Sequence, residues 1–149
     1  MILKWHKRML ELTEYISSWS KDPDRQVGAV ITNPQNRILS TGYNGYPFDI
    51  VNNIDEKAEK LFKTVHAEVN AILMAPQVQG MTIFINHHPC AQCAAMIRQA
   101  GFAAVICPPP EQYSSWAESM AVAEDLIKPI STYYDRWQFT DKPSEDCPF

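Results

Sequence analysis

No stretch of this 149-residue chain approaches the ~20 consecutive apolar residues needed to cross a bilayer. The opening residues, MILKWHKRMLEL, lack the uninterrupted apolar run and small-residue cleavage site of a signal peptide. Excess positive charge is missing too. Thirteen Lys and Arg stand against seventeen Asp and Glu, a net charge of -4, and the basic residues are scattered along the chain. Such a balance speaks against a polynucleotide-binding protein, whereas a small phosphorylated ligand needs only one or two local cations. Internal repeats and low-complexity segments are also absent. Together these absences lead us to expect a cytoplasmic protein whose thiols stay reduced. The four cysteines, Cys90, Cys93, Cys107 and Cys147, are then not a disulfide framework, and the Cys-x-x-Cys pair reads first as metal ligands or a redox site.

What is present is an ordinary globular composition, 46% hydrophobic and 20% charged. It predicts one domain over 1–149, with a loose tail from about residue 136. Trp5, Met9, Leu12, Ile16 and Trp19 recur at helical spacing and predict an amphipathic helix ending near Lys21–Pro23. QVGAVIT and RILSTGYN, joined by Asn33-Pro34-Gln35-Asn36, predict an antiparallel hairpin. Gly45, Pro47, Asn52 and Asn53 mark a loop, followed by a helical turn or two in DEKAEKLF. Val65, Val69, Ile72 and Leu73 predict a helix closed by Pro76 and Gly80. MTIFIN and AAVIC read as strands, PCAQCAAMIRQA as a helix ended by Gly101, and SSWAESMAVAEDLIK as a helix capped by Ser114 or Ser115. PISTYY is a candidate edge strand. This order predicts a mixed α/β sheet covered on both faces, parallel where strand and helix alternate.

The chemistry concentrates in His66-Ala67-Glu68 and Pro89-Cys90-Ala91-Gln92-Cys93. Cysteines three apart share one face of a helix and can grip a single ion. A helix start favours their thiolates through its positive dipole end. His66 supplies a third, neutral ligand, and three protein ligands leave the fourth tetrahedral position of a catalytic zinc open. Two thiolates balance Zn²⁺, which still acidifies a bound water. Glu68, two residues past the ligand histidine, is placed to take a proton from that water and return protons to a ring nitrogen and a leaving amine. The His-x-Glu and Pro-Cys-x-x-Cys pair is the known signature of zinc base deaminases.

At these motifs the chain resembles the cytidine/deoxycytidylate deaminase superfamily, and within it the deoxycytidylate (dCMP) deaminases most. SKDPDRQVGAVI at 20–31, STGYNGYP at 40–47, HAEVNAIL at 66–73 and PCAQCAAMIRQAG at 89–101 carry the resemblance through most of the first two thirds of the chain. It implies a three-layer α/β/α fold with a five-stranded sheet, one catalytic zinc per chain and homo-oligomeric assembly. It also implies that Asn44 hydrogen-bonds the substrate, that backbone at Ala67 meets the pyrimidine, and that Lys21 and Arg25 lie near a nucleotide phosphate, with Asp24 an awkward anion among them. Two departures stand out. The insertion that carries a second zinc in some phage relatives is missing between Tyr46 and His66, and Pro108-Pro109-Pro110 replaces a more polar loop.

The expected activity is hydrolytic deamination of dCMP to dUMP. Alternatives are another cytosine nucleoside or nucleotide, including a 5-modified dCMP, and the tRNA adenosine branch, against which the acidic composition counts. A nucleotide-sensing module without activity would have no need of Glu68, and a thioredoxin-like redox site would have no need of His66. Plainer readings exist for single residues. Asn44 suits a turn beside Gly45, and Lys21 and Arg25 suit a solvated surface. His87 and His88 read as strand-end or pocket-wall residues rather than a fourth ligand. Tyr113 and Trp116 belong to the core or to a pocket wall, and Cys107 is a small buried hydrophobe.

Overall fold

Alternation along three strands decides the layering. In the computed structural model, which describes residues 1–50 and 57–140, β1 (Gly28–Thr32), β3 (Thr82–Ile85) and β4 (Ala104–Cys107) are almost wholly buried. Val30, Phe84 and Ile106 point to one face, where they pack with Met9 and Leu10 of α1 (Lys4–Ser17) and with Phe139. Ala29, Ile31, Ile83, Ile85, Val105 and Cys107 point to the other. There they meet α3 (Ala67–Met74), α4 (Ala91–Ala100) and α5 (Ala117–Ile127). Period-two burial on both sides is what a central strand between two helical layers requires. The three-layer α/β/α architecture is therefore as expected, and buried Cys107 is part of its apolar core.

With β2 (Ile38–Tyr43) and β5 (Ser131–Tyr133), the sheet has the order β2-β1-β3-β4-β5. Strand β1 runs antiparallel to β2 and β3, while β3, β4 and β5 are mutually parallel. The hairpin turn is held by Asn33, whose side-chain oxygen accepts from the N–H groups of Gln35 and Arg37, and by Asn36 at φ 62°. A further helix, α2 (Lys57–Lys63), overlaps the DEKAEKLF stretch expected to form a helical turn or two. Asn52, Asn53 and Cys147 lie outside the described residues.

Several local expectations need correction. Helix α1 stops at Ser17 rather than near Lys21, because the Ser17 and Ser18 hydroxyls turn back to the carbonyls of Glu14 and Tyr15. Trp5 and Trp19, assigned to its buried face, are half exposed. Helix α3 buries Ala67, Glu68 and Ala71 and leaves Leu73 outside. Helix α5 begins at Ala117 without a serine cap, and the Ser114 hydroxyl accepts from Trp116 N–H in the turn before it. The tail expected from about 136 is docked as far as residue 140. Phe139 is buried, and Arg136 makes a two-pronged bond to Glu14 at 2.6 and 2.8 Å.

The close seat of α3 has a visible cause. A Cβ placed on Gly42 of β2 would lie 2.4 Å from the Ala67 carbonyl oxygen and 2.5 Å from Ala71 N. Only glycine lets these backbones meet, and the facing turn of the helix presents the buried alanines Ala67 and Ala71. Gly42→Ala should therefore destabilise the protein by about 1–3 kcal/mol, the penalty of overpacking. A urea titration should show the lowered midpoint with an unchanged slope.

Candidate functional site

Two helix starts meet at one end of the sheet. His66 and Cys90 are the extended residues immediately before α3 and α4, and Cys93 lies in the first turn of α4. Pro89 suits the extended approach, and the first free N–H of α4, that of Ala91, donates to Ser119 Oγ of α5 at 2.9 Å. On the other side, Gly45 and Val65 exchange two backbone hydrogen bonds, and Asn70 Nδ2 donates to the Tyr43 carbonyl. These links fix the segment that delivers His66.

His66 Nδ1 stands 3.5 Å from Cys90 Sγ and 3.4 Å from Cys93 Sγ. A tetrahedral zinc with Zn–N of about 2.0–2.1 Å and Zn–S of about 2.3 Å requires N···S separations of about 3.5 Å. The three donor atoms thus form a group able to hold one metal ion. Among the described residues no fourth Cys, His, Asp or Glu joins that group. His88 Nδ1 is turned instead to the Pro89 carbonyl, 3.0 Å away.

The charges are arranged to suit a cation. A hydrogen bond from the Cys93 thiol, then one from His66, draws Cys90 down to about 4, so it is a thiolate at neutral pH. Cys93 holds its proton more firmly than an ordinary thiol, chiefly through that same bond. Contact with Cys90 raises His66. Glu68 is only 4% exposed, and burial lifts its carboxyl above the usual range against the opposing pull of Cys93 and His66.

A cavity of about 520 Å³ opens over the group, lined by His66, Ala67, Glu68, Cys90 and Asn44 among others. Arg25 lines it too; Lys21 does not, and is exposed on the surface. The second cation of the wall is Lys60 of α2, 2.8 Å from Asp22 and 2.7 Å from Asp24. That lysine was not singled out in the sequence, and nothing in its polar, non-periodic surroundings marks it. Asn44 is buried. Its oxygen accepts from Val27 N–H, and its nitrogen donates to the Arg25 carbonyl at 2.9 Å and to Asp22 at 3.5 Å. The pocket-wall expectation holds for His87, His88 and Trp116, while Tyr113 is almost fully exposed. His87 is pushed down to about 4 by burial and then by Arg25. It is neutral, and its Nδ1 faces Arg25 Nη2 at 3.4 Å.

Residues 3–108 match the cytidine and deoxycytidylate deaminase zinc-binding region. The chain is 47% identical to a protein of Aliivibrio fischeri named an uncharacterized deaminase in the luxG 3′ region, over 85% of this chain and 89% of that one. It is 31% identical to mouse deoxycytidylate deaminase over 96% of this chain and 84% of the mouse protein. Against human deoxycytidylate deaminase the identity is 34% over 70% of this chain, which spans 64% of the human length. The fold superposes with a TM-score of 0.74 at 24% identity on the dCMP deaminase of cyanophage S-TIM5, solved with dCMP and dUMP, covering 90% of this chain and 99% of that one. Among the described residues no helix is long and apolar enough to cross a membrane.

The protein should carry one zinc per chain. Cys93, raised, is protonated in the free site at pH 7 and must lose that proton to ligate, so binding zinc releases protons and affinity grows with pH. Elemental analysis gives the stoichiometry. Titration calorimetry in two buffers of different ionisation enthalpy gives the proton count, expected to be at least about one.

Proposed function

Since the chain belongs to the cytidine and deoxycytidylate deaminase family, we propose that it hydrolyses dCMP to dUMP and ammonia, in the cytoplasm. The observation that carries this reading is the buried carboxylate of Glu68 beside the His66, Cys90 and Cys93 donors, in a cavity whose wall also holds Arg25 and Lys60. A zinc ion held by the three donors supplies the Lewis acid that makes water nucleophilic at neutral pH. Glu68 takes a proton from the attacking water and delivers it to ring N3 as the C4–O bond forms. The remaining hydroxyl proton then passes through Glu68 to the exocyclic nitrogen, the C4–N bond breaks and ammonia leaves. A carboxyl lifted by burial suits both halves of this exchange.

Backbone at Ala67 meets the pyrimidine in this reading. Asn44 positions the 22–27 loop through its short bonds, and its 3.5 Å link to Asp22 is the one a sugar hydroxyl replaces. Arg25 and Lys60, rather than Lys21, face the 5′-phosphate. One observation favours deoxycytidine as a second reading: both wall cations already lie against carboxylates. Homo-oligomeric assembly belongs to the same proposal, supported by the exposed, edge-to-face aromatics Tyr15, Trp19 and Tyr43. Sedimentation should find an oligomer, and a monomer at all concentrations would remove that part.

Glu68→Gln keeps the shape and removes the proton carrier. Turnover should fall by about 10²–10⁴ with zinc retained, and a variant with most of its rate intact would end this mechanism. Arg25→Ala should lower kcat/KM for dCMP about tenfold to a hundredfold, the worth of a charge-assisted bond. Deoxycytidine should change little. Equal losses on both substrates would favour the nucleoside reading.

A further inference from the structure

Arg25 and Lys60 are the two Lys or Arg side chains among the described residues lining the cavity, and each is already matched by an acid. Lys60 is matched by Asp22 and Asp24. Arg25 Nη2 donates to Glu111 Oε1, which also lies 3.6 Å from His87 Nδ1. A phosphate entering here meets carboxylates before it meets a vacant cation.

The carboxylates are not equally fixed. Asp22 is 11% exposed, and its Oδ1 accepts the backbone N–H groups of Asp24 at 2.8 Å and Arg25 at 3.1 Å. It is part of the turn that shapes the loop. Glu111 is 34% exposed and follows Pro108-Pro109-Pro110 on the loop before α5. Its carboxylate accepts from no backbone N–H among the described residues, and the Ser114 hydroxyl beside it offers a second partner. A carboxylate and a phosphate present the same kind of oxygen pair to a guanidinium, so one can take the place of the other. His87 cannot compensate the charge, because it is neutral beside Arg25.

We propose that Glu111 is an internal counter-ion of Arg25 that the 5′-phosphate of the substrate displaces, and that it sets how strongly the site prefers a nucleotide over its nucleoside. Inorganic phosphate alone must compete with Glu111 for Arg25. A phosphate tethered to a cytosine seated at the zinc end is held in place while it competes, and wins. Glu111 is thus a specificity-determining residue that never takes part in the bond-breaking steps. This inference rests on the dCMP reading above.

The test measures kcat and KM for dCMP and deoxycytidine, and the inhibition constant of inorganic phosphate, in wild type, Glu111→Gln, Glu111→Ala and Arg25→Gln/Glu111→Gln. Removing the carboxylate should raise the dCMP-to-deoxycytidine ratio of kcat/KM about fivefold, the scale of a partly exposed ion pair. The gain should fall in KM rather than kcat. Phosphate should inhibit about fivefold more strongly, and both gains should vanish without Arg25. An unchanged ratio in both Glu111 variants of a wild type that prefers dCMP overturns the counter-ion role and leaves the substrate reading standing. A wild type with no preference for dCMP over deoxycytidine overturns both, and shows it before any variant is compared.

Discussion

Backbone-to-backbone contact at Gly42 is the constraint on which the site depends. Side chains of ordinary size would hold α3 away from β2, and His66 would then fall short of the cysteines. The sheet side of the helix is accordingly reduced to Ala67 and Ala71, and Ser40 adds a 2.6 Å bond to the Ala71 carbonyl. On the opposite face Gly28 plays the same part for α1, with the Thr13 carbonyl where a Cβ would stand. Each face of this half of the sheet therefore carries a helix seated on a glycine, and the site lies where one such seat meets the amino end of α4.

Electrostatics follows from that placement. Two sulfurs, an imidazole and a buried carboxyl crowd one small volume, and their proton affinities are pulled apart by mutual contact rather than by solvent. Such a cluster is unfavourable without a cation and well matched to one. Along the cavity wall, Arg25 pairs with Glu111 and Lys60 with Asp22 and Asp24, so the charges are neutral in sum at the first pairing and slightly acidic at the second. In the proposed reading the buried cluster serves the reaction and the ion-paired cations serve selection.

Much of this was legible in the residues. Short continuous apolar runs in GAVIT, MTIFIN and AAVIC marked the central strands, and Pro89 with Gly101 bracketed α4. The metal group was readable because its chemistry demands fixed residue types at short spacings. Other features were hidden for physical reasons. Helical spacing of Val69, Ile72 and Leu73 marks apolar residues, yet the face that packs closest is chosen by size, and alanines carry little periodic signal. Trp5 and Trp19 fit a helical stripe whose ends extend beyond the sheet that would cover them. Lys60 lines the cavity from a distant helix and Glu111 pairs with Arg25 of its wall, and pairings across 36 and 86 residues leave no local trace. Lys21 and Arg25 were put forward together by the resemblance over residues 20–25, but Arg25 lines the cavity while Lys21, before the turn at Asp22, is exposed outside it.

The clasp between Glu14 and Arg136 spans 122 residues, and it is reinforced by His6 Nδ1 against Tyr134 Oη and by Phe139 beneath α1. The beginning and the end of the described chain are therefore sewn to each other across the same face of the sheet. Among the described residues the exposed loop around Tyr113 is one target for a protease. A cut there would sever the polypeptide without releasing either piece. The later fragment would remain tied in through α5, β5 and the Arg136 clasp, so the nicked protein would run as two bands when denatured and as one particle when native.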